Sequence, residues 1–366
     1  MPRVGNRDLS RFASALLRAG GSPEAIATEV AESLVSADVR GHNSHGVRQM
    51  VSKYASEIDS GRIDPTAEPS VTAPAGPWAK VDGNLAYGQL VGREAVRAGI
   101  DRASDHGIGI ATLHRCSHIG RVGEFAELAC DAGMAFAAFV SNPGSAWVAP
   151  AGCAERRFST NPIAIGVPTF DALPFPFVLD IATSQVAHGK IKEHHASGEP
   201  LPAEWVVDES GNTQTDATAF EADGDGALLP LGGRVSGYKG TGLAVMNELL
   251  AGNLTDGSVS GMSDVTWGNH ATFVVFDLET VTTRERAAER AAAMAAYVRS
   301  SDFSAGYGPG PGAIGSETLL PGEPEHLTAT DHRSNGIPFP AADATALGEL
   351  AREWGVDSGA IPAAFE

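Results

Sequence analysis

The sequence predicts an α/β fold, with a layered sheet-and-helix domain preceded by a helical N-terminal unit. Three observations favour it. Short apolar runs alternate with helical segments through the middle of the chain, the first part shows helical periodicity only, and hydrophobic residues form 43% of the 366 residues. We expect a helical unit at residues 1–74, joined by helices within 322–366, and an α/β domain at 75–321.

The N-terminal unit contains a helix that we expect Ser22 to cap, with Pro23 at its first position. Apolar side chains then recur every fourth residue from Ile26 to Leu34, which predicts one buried stripe. We expect this helix to run into residues 38–48. Four prolines within residues 64–77 predict a loop that connects this unit to the next.

The α/β domain is predicted from alternating segments. Residues 193–233 are polar and rich in glycine, which predicts loops and a hairpin, and residues 306–315 predict a loop of proline and glycine. The other segments are predicted, in order, as a helix at 92–104, a strand at 108–113, a helix at 122–132, strands at 135–140, 163–167 and 175–181, a helix at 239–250, a strand at 272–276, and helices at 284–299 and 341–354.

The acidic composition limits the partners of the protein. The formal charge is -19, from 45 acidic and 26 basic residues, which disfavours nucleic acid and anionic membranes. A small anionic substrate would therefore need a local basic pocket. We expect a cytoplasmic protein, because no apolar run of about 20 residues and no apolar signal core is present. The scarcity of lysine fits either a salty cytoplasm or an arginine-biased genome.

Residues 38–48, with the sequence DVRGHNSHGVR, combine a hydroxyl, a proton donor and a fixed cation in Ser44, His45 and Arg48. If the segment is helical, His45 and Arg48 share a face. Histidine suits proton transfer near neutral pH, and a guanidinium holds a carboxylate with two hydrogen bonds. The pair therefore fits reduction of a 2-oxo acid, in which the alkoxide left by hydride addition takes a proton. The alternative is a surface histidine beside an ion-paired arginine.

Asp180 ends an apolar run, so we expect it where a strand delivers residues to a cleft. A carboxylate there would hydrogen-bond the catalytic histidine, fix its tautomer and raise its pKa. The alternative is that Asp180 caps the turn that follows through its side chain.

His114 and His118 lie at a predicted strand-to-helix turn. We expect His118 to line a pocket, where Gly120 would let a flat ring or a phosphate approach the backbone. The rival hypothesis is a metal-dependent lyase or hydrolase built from His42, His45, His114 and His118. We assign no metal ligand.

Lys239 and Gly240 stand at the start of a predicted helix, where the ammonium and free N–H groups would bind a pyrophosphate. The alternative is an ordinary helix start with a solvated lysine. No Gly-x-Gly-x-x-Gly motif follows a predicted strand, so a nicotinamide coenzyme would not be held by the common Rossmann loop.

Five segments together resemble the second type of malate/L-lactate dehydrogenase family, whose members include ureidoglycolate, sulfolactate and diketogulonate dehydrogenases and cyclic-imine reductases. One departure concerns Arg121, because family members often carry small residues at this point after the second histidine. The matching segments are residues 38–46, 117–120, 160–164, 180–184 with 189–191, and 238–240 leading into 248–252.

The resemblance implies a non-Rossmann fold that binds NAD or NADP, a homodimer with sites near the subunit interface, and a small 2-hydroxy acid, 2-oxo acid or imine as substrate. It implies His45 as proton donor and acceptor, with Asp180, His118 and Ser44 completing the catalytic set. Arg48, His118 and Thr160 would bind the substrate. The implied coenzyme contacts are His118, Gly120, Ser141, Asn161, Asp180, Ile181, Ala182, Thr183, Ser184, Lys239, Gly240, Gly322 and Glu323.

Overall fold

A computed structural model describes residues 1–302, 313–314 and 317–365. The strands are β1 (Arg3–Val4), β2 (Ser70–Thr72), β3 (Trp78–Asp82), β4 (Ile108–Cys116), β5 (Ala135–Ser141), β6 (Ile163–Val167), β7 (Phe177–Ile181), β8 (Val206–Val207), β9 (Thr213–Gln214), β10 (Ala227–Leu228), β11 (Asn269–Phe276), β12 (Ala313–Ile314), β13 (Glu317–Thr318) and β14 (Ile337–Pro338). The helices are α1 (Asn6–Ala19), α2 (Glu24–Val39), α3 (Ala55–Asp59), α4 (Gly88–His106), α5 (Gly123–Asp131), α6 (His188–Ser197), α7 (Ala217–Glu221), α8 (Gly233–Ser236), α9 (Tyr238–Thr255), α10 (Arg284–Arg299), α11 (Glu323–Asn335) and α12 (Ala341–Glu353).

A mixed sheet with the strand order β2-β3-β4-β11-β5-β6-β7 organises the chain. Within it β3 and β4 run parallel, while the other neighbouring strands pair antiparallel. The doubly wound dinucleotide fold is instead built on parallel strands. The predicted α/β class is confirmed.

Helices cover both faces of the sheet. On one face Phe273 of β11 packs against Phe125 of α5, with ring centroids 5.2 Å apart. The side chain of His270, which points to the opposite face because strand side chains alternate, lies 3.4 Å from the Thr255 hydroxyl of α9. The helix α4 lies beside α5, where Gly92 leaves room for the Phe125 ring.

The N-terminal helices share one continuous hydrophobic core with the sheet. The ends of the chain meet where β1 pairs antiparallel with β14. The helix α11 also packs against α2. The division into two units with boundaries at residues 74 and 321 stays a prediction.

Three local expectations were wrong. The helix α2 ends at Val39 instead of continuing, because the chain turns at Gly41, whose φ is +82°. The connector at 64–77 contributes the edge strand β2. Ser22 does not cap α2; its hydroxyl lies 3.1 Å from that of Tyr87.

Residues 193–233 form a small layer instead of loops alone. The expected hairpin is present as β8 and β9, and β10 adds a third strand to it. Ile191 of α6 and Phe220 of α7 pack into a separate core beneath this sheet. The apolar residues of this core are separated by polar residues in the sequence, so they form no periodic pattern that predicts a buried element. The predicted loop at 306–315 lies outside the described residues except for β12.

No helix in the described ranges is both long enough and apolar enough to cross a membrane.

Candidate active site

A cleft with two adjoining lobes lies between the mixed sheet, the segment after α2 and the small layer. The lobes have volumes of about 410 Å³ and about 320 Å³. We call them the larger and the smaller lobe. Their common wall is formed by Ser44, His45, His118, Asn142, Ser159, Thr160 and Ala187.

His45 reaches the cleft on a tight turn. After α2 the chain forms a 3-10 turn at Asn43–His45. The buried carboxylate of Asp38 accepts a hydrogen bond of 2.8 Å from the Val47 N–H. A side chain at Gly46 would collide with this carboxylate, so only glycine fits there. Asp38 and Gly46 of the motif thus shape the turn that presents His45.

His45 and His118 stack against each other, with ring centroids 5.3 Å apart and planes inclined by 29°. Burial, reinforced by the charges of His42 and Arg121, lowers the pKa of His45 to about 3. Burial also lowers the pKa of His118 well below its usual value. Both imidazoles are therefore neutral near pH 7, the form that accepts a proton.

Hydrogen bonds orient both rings. Nδ1 of His45 lies 3.0 Å from the Ser44 hydroxyl. Nδ1 of His118 accepts a hydrogen bond of 3.3 Å from the Gly120 N–H, so a neutral His118 carries its proton on Nε2. The backbone around His118 is fixed by Asn269, whose side-chain oxygen accepts a 3.0 Å hydrogen bond from the Ile119 N–H.

Asp180 does not hydrogen-bond His45, which corrects the sequence-based expectation. Its carboxylate accepts a hydrogen bond of 2.7 Å from the N–H of Gly123 at the start of α5. Burial raises the pKa of Asp180, and the charge of Arg121 opposes this shift. Asp180 thus caps a helix distant in sequence, a variant of the capping alternative. It still lines the larger lobe.

Arg48 lines the smaller lobe but does not share a regular helix with His45. Its guanidinium lies 3.5 Å from the carboxylate of Asp343 and 3.8 Å from that of Glu193. The ion-paired alternative therefore holds in part, because Arg48 is paired and also faces the cleft. A π-helical turn at Met50–Tyr54 follows and brings Lys53 to the same lobe.

The sequence-predicted site residues divide into two groups. Lys239 is exposed on α9, and Glu323 pairs with Arg299, so neither reaches the cleft. Those that line it are Ser44, His45, Arg48, His118, Gly120, Thr160, Asp180, Ile181, Ala182 and Ser184. Those that do not are Ser141, Asn161, Thr183, Lys239, Gly240, Gly322 and Glu323.

Two of the residues outside the cleft support its wall. The side-chain oxygen of Asn161 accepts a hydrogen bond of 3.3 Å from the Asn142 N–H. Thr183 donates a hydrogen bond of 3.1 Å to the carbonyl of Thr160. Residues of the same sequence motif therefore both line the cleft and support its wall.

Sequence reasoning missed several residues of the smaller lobe, among them Lys53, Trp147, His188 and Lys192. One signal was available. The chain has five lysines, and Lys53, Lys190 and Lys192 all line the cleft. Trp147 and His188 gave no such signal, because their contact, with ring centroids 3.9 Å apart, joins distant segments.

The four histidines of the metal hypothesis do not converge. Nε2 of His42 lies 3.1 Å from Glu325. His114 lies on β4 and is not among the residues of either lobe. Within the described ranges, no group of three histidine, cysteine or carboxylate side chains is arranged to hold a metal ion. The lyase or hydrolase alternative therefore loses its geometric basis.

Known proteins resemble the chain over nearly its whole length. The sequence profile of the malate/L-lactate dehydrogenase family matches residues 4–348. Hydroxycarboxylate dehydrogenase B of Escherichia coli O157:H7 is 32% identical over 359 residues, which cover 97% of this chain and 95% of that protein. Malate dehydrogenase of Pyrococcus horikoshii is 33% identical over 362 residues, covering 97% and 96% of the two chains.

Solved structures agree with these matches. Malate dehydrogenase from Pyrococcus horikoshii superimposes with a TM-score of 0.82 at 33% identity, covering 97% of this chain and 96% of that one. Sulfolactate dehydrogenase from Methanocaldococcus jannaschii superimposes with a TM-score of 0.80 at 26% identity, covering 97% and 98%.

Proposed function

Because the chain belongs to the malate/L-lactate dehydrogenase family, we propose that it transfers a hydride between NAD or NADP and a small 2-hydroxy acid or the matching 2-oxo acid. The observation that carries this proposal is the stacked pair His45 and His118 at the junction of two lobes. One lobe would take the coenzyme and the other the substrate. The choice between the two coenzymes is left to experiment, as is reduction of a cyclic imine.

The larger lobe suits the nicotinamide end of the coenzyme. Apolar side chains such as Val122 and Ile181 line it and can pack against a flat ring. The side-chain oxygen of Gln185 is buried there and has no hydrogen-bond partner among the described residues, and a carboxamide N–H would satisfy it. When bound, the nicotinamide supplies or accepts the hydride.

His45 is proposed to move the proton. In oxidation, its neutral imidazole accepts the proton of the substrate hydroxyl. In reduction, the carboxylate of the bound 2-oxo acid favours the protonated ring, which then donates to the forming alkoxide. Ser44 fixes the orientation of the ring, and His118 binds the substrate or shares the proton transfer. Asp180 lines the coenzyme lobe.

Arg48 and Thr160 are proposed to bind the substrate carboxylate. Both line the smaller lobe next to His45. The ion pairs of Arg48 with Asp343 and Glu193 are long, and the Arg48 side chain is 16% exposed. The coenzyme contacts of the residues outside the cleft, including Lys239 and Glu323, stay predictions, as does the cytoplasmic location.

We also propose a homodimer. One face of the outer strands leaves Ile165, Val167 and Leu179 between 39% and 43% exposed. Met246 and Leu249 on α9 are also exposed. Exposed apolar side chains grouped on one surface commonly mark a protein interface.

The proposal is tested with a panel of 2-oxo acids and cyclic imines, each with NADH and with NADPH, followed at the nicotinamide absorbance. We expect oxidation of at least one coenzyme that depends on a 2-oxo acid. The absence of turnover with every pair, in protein that is folded and binds coenzyme, would contradict the proposal.

A further inference from the structure

The segment 248–252 carries part of the family resemblance but lies on α9, outside the cleft. No residue of α9 lines either lobe in the described ranges. Its first residue, Glu248, is nevertheless buried, with an exposure of 3%. Within the part of the chain that the structure describes, its carboxylate accepts hydrogen bonds from neutral groups only. Burying a carboxylate in this way costs stability, which favours a role in function over one in packing.

The hydrogen bonds of Glu248 join two segments. Oε1 accepts a hydrogen bond of 3.0 Å from Nδ2 of Asn161 and one of 2.8 Å from the Ser260 hydroxyl. Oε2 accepts one of 2.7 Å from the Ser260 N–H. The preceding residue, Asn247, donates a hydrogen bond of 2.8 Å from Nδ2 to the carbonyl oxygen of Asn161. Two successive residues of α9 thus hold both the side chain and the main chain of Asn161.

The backbone of Asn161 needs such restraint. Its φ is +32°, in the left-handed region that residues other than glycine seldom adopt. Asparagine tolerates this region better than most residues, yet the conformation persists only where the surroundings fix it. The hydrogen bonds that join Asn161 to Asn247 and Glu248 provide this restraint.

The conformation of Asn161 determines where two residues of the cleft lie. Thr160 precedes it directly and lines both lobes. Oδ1 of Asn161 accepts a hydrogen bond of 3.3 Å from the N–H of Asn142, which also lines both lobes. Relaxation of Asn161 would therefore displace both residues. A displacement of ~1 Å at a reaction centre can cost ~100-fold in rate.

We propose that Glu248 is a positioning residue for the reaction, and that it acts through its hydrogen bond to Asn161. This bond keeps Thr160 and Asn142 where substrate and coenzyme require them. The inference rests on the proposed function and adds to it a residue of α9 that touches neither substrate nor coenzyme.

The test is a double-mutant cycle between Glu248 and Asn161, measured as kcat/KM for a 2-oxo acid that the wild type reduces. We expect Glu248→Leu to lower kcat/KM ~100-fold in the wild-type background. In the background of Asn161→Gly the same change should have an effect within about twofold, because the hydrogen bond is already absent and glycine adopts a positive φ without strain.

Two further variants separate positioning from folding. Ser260→Ala removes a partner of Glu248 that does not line the cleft; it is the matched control and should keep kcat/KM within about twofold of the wild type. Glu248→Gln retains an oxygen that can accept from Asn161 and should keep kcat/KM within about tenfold, even though it loses stability in urea at the Ser260 N–H. If Glu248→Leu does not fold, Glu248→Asp takes its place in the cycle, because its carboxylate is withdrawn from Asn161 by one methylene.

Equal losses in the two backgrounds would show that Glu248 acts independently of Asn161. They would overturn the inference and leave the proposed function intact, as would a wild-type kcat/KM in Glu248→Leu. No turnover of any 2-oxo acid by the wild type with either coenzyme would overturn the proposed function and the inference with it.

Discussion

The buried carboxylate of Asp38 accepts a 2.8 Å hydrogen bond from the backbone N–H of Val47, and this bond holds the turn that presents His45. In the part of the chain that the structure describes, the other carboxyl oxygen of Asp38 is buried and has no hydrogen-bond partner. Burial raises the pKa of Asp38 to about 8, so the carboxyl group is largely protonated at neutral pH. The geometry of the turn that presents His45 thus depends on a carboxyl group that folding keeps neutral.

Asp38→Asn should flatten the dependence of stability on pH. The pKa of Asp38 is near 3.8 in the unfolded chain and about 8 in the folded protein, so the folded state holds the extra proton between these values. Its contribution to stability is complete below about pH 4 and is lost as the pH rises to about 8. Urea unfolding across this range should show that loss in the wild type and in Asp8→Asn, an exposed control on α1, but not in Asp38→Asn. An unchanged slope in Asp38→Asn would contradict this account.

The pH profile of hydroxy-acid oxidation should lack a limb near pH 6.5. Oxidation needs the neutral imidazole of His45, whose pKa is lowered to about 3 by burial. The active form therefore persists far below the usual histidine range. The profile of kcat/KM reports the free enzyme and is the quantity to measure. An acid limb near pH 6.5 would contradict this account, because burial lowers the pKa of both His45 and His118 below that value.

Gly88→Ala should displace the segment that carries His118. A β-carbon at Gly88 would lie 2.5 Å from the carbonyl oxygens of Ser117 and His118, so the segment carrying His118 must move. We expect a loss of ~1–3 kcal/mol in the free energy of unfolding and a lower kcat. Gly242→Ala, at an open position of α9, is the stability control and should stabilise by up to ~1 kcal/mol. Equal stabilities of the two variants in urea would be inconsistent with this packing.

Leu179→Asp should disrupt the proposed dimer. Leu179 pairs with Ile165 across two strands, so the two side chains share the exposed apolar face. A carboxylate there would be desolvated in the interface and weaken association. Sedimentation should show a dimer for the wild type and for Val281→Asp, an exposed control, and a monomer for Leu179→Asp. Dimers of undiminished affinity in Leu179→Asp would place the interface elsewhere.

Much of the fold was predictable, because long apolar segments carry strong periodicity. The helix expected at 92–104 lies within α4, and the strand expected at 163–167 coincides with β6. The small layer was predicted only as loops and a hairpin, because its strands β8, β9 and β10 have two residues each. The buried residues of β8 and β10 gain their burial from contacts with α6 and α7. The family, expected from five short segments, is confirmed over residues 4–348.

The site was predictable where function depends on a local motif. His45 and His118 were named from the sequence, and they meet in the cleft. The hydrogen-bond partner predicted for Asp180, His45, was wrong. Its carboxylate instead accepts from the Gly123 N–H, which the packing of α5 on the sheet brings close. Lys53 was not predicted as a site residue, because a π-helical turn directs it to the smaller lobe. No simple periodicity in the sequence indicates such a turn.

The central claim, that His45 exchanges the proton that accompanies hydride transfer, is tested most directly by stopped-flow measurement of His45→Ala. We expect the rate of hydride transfer to fall ~100- to 10,000-fold, while the dissociation constant of the coenzyme stays within a few-fold of the wild-type value. His106→Ala, at the exposed end of α4, should match the wild type in both. Hydride transfer at the wild-type rate in His45→Ala would contradict the claim.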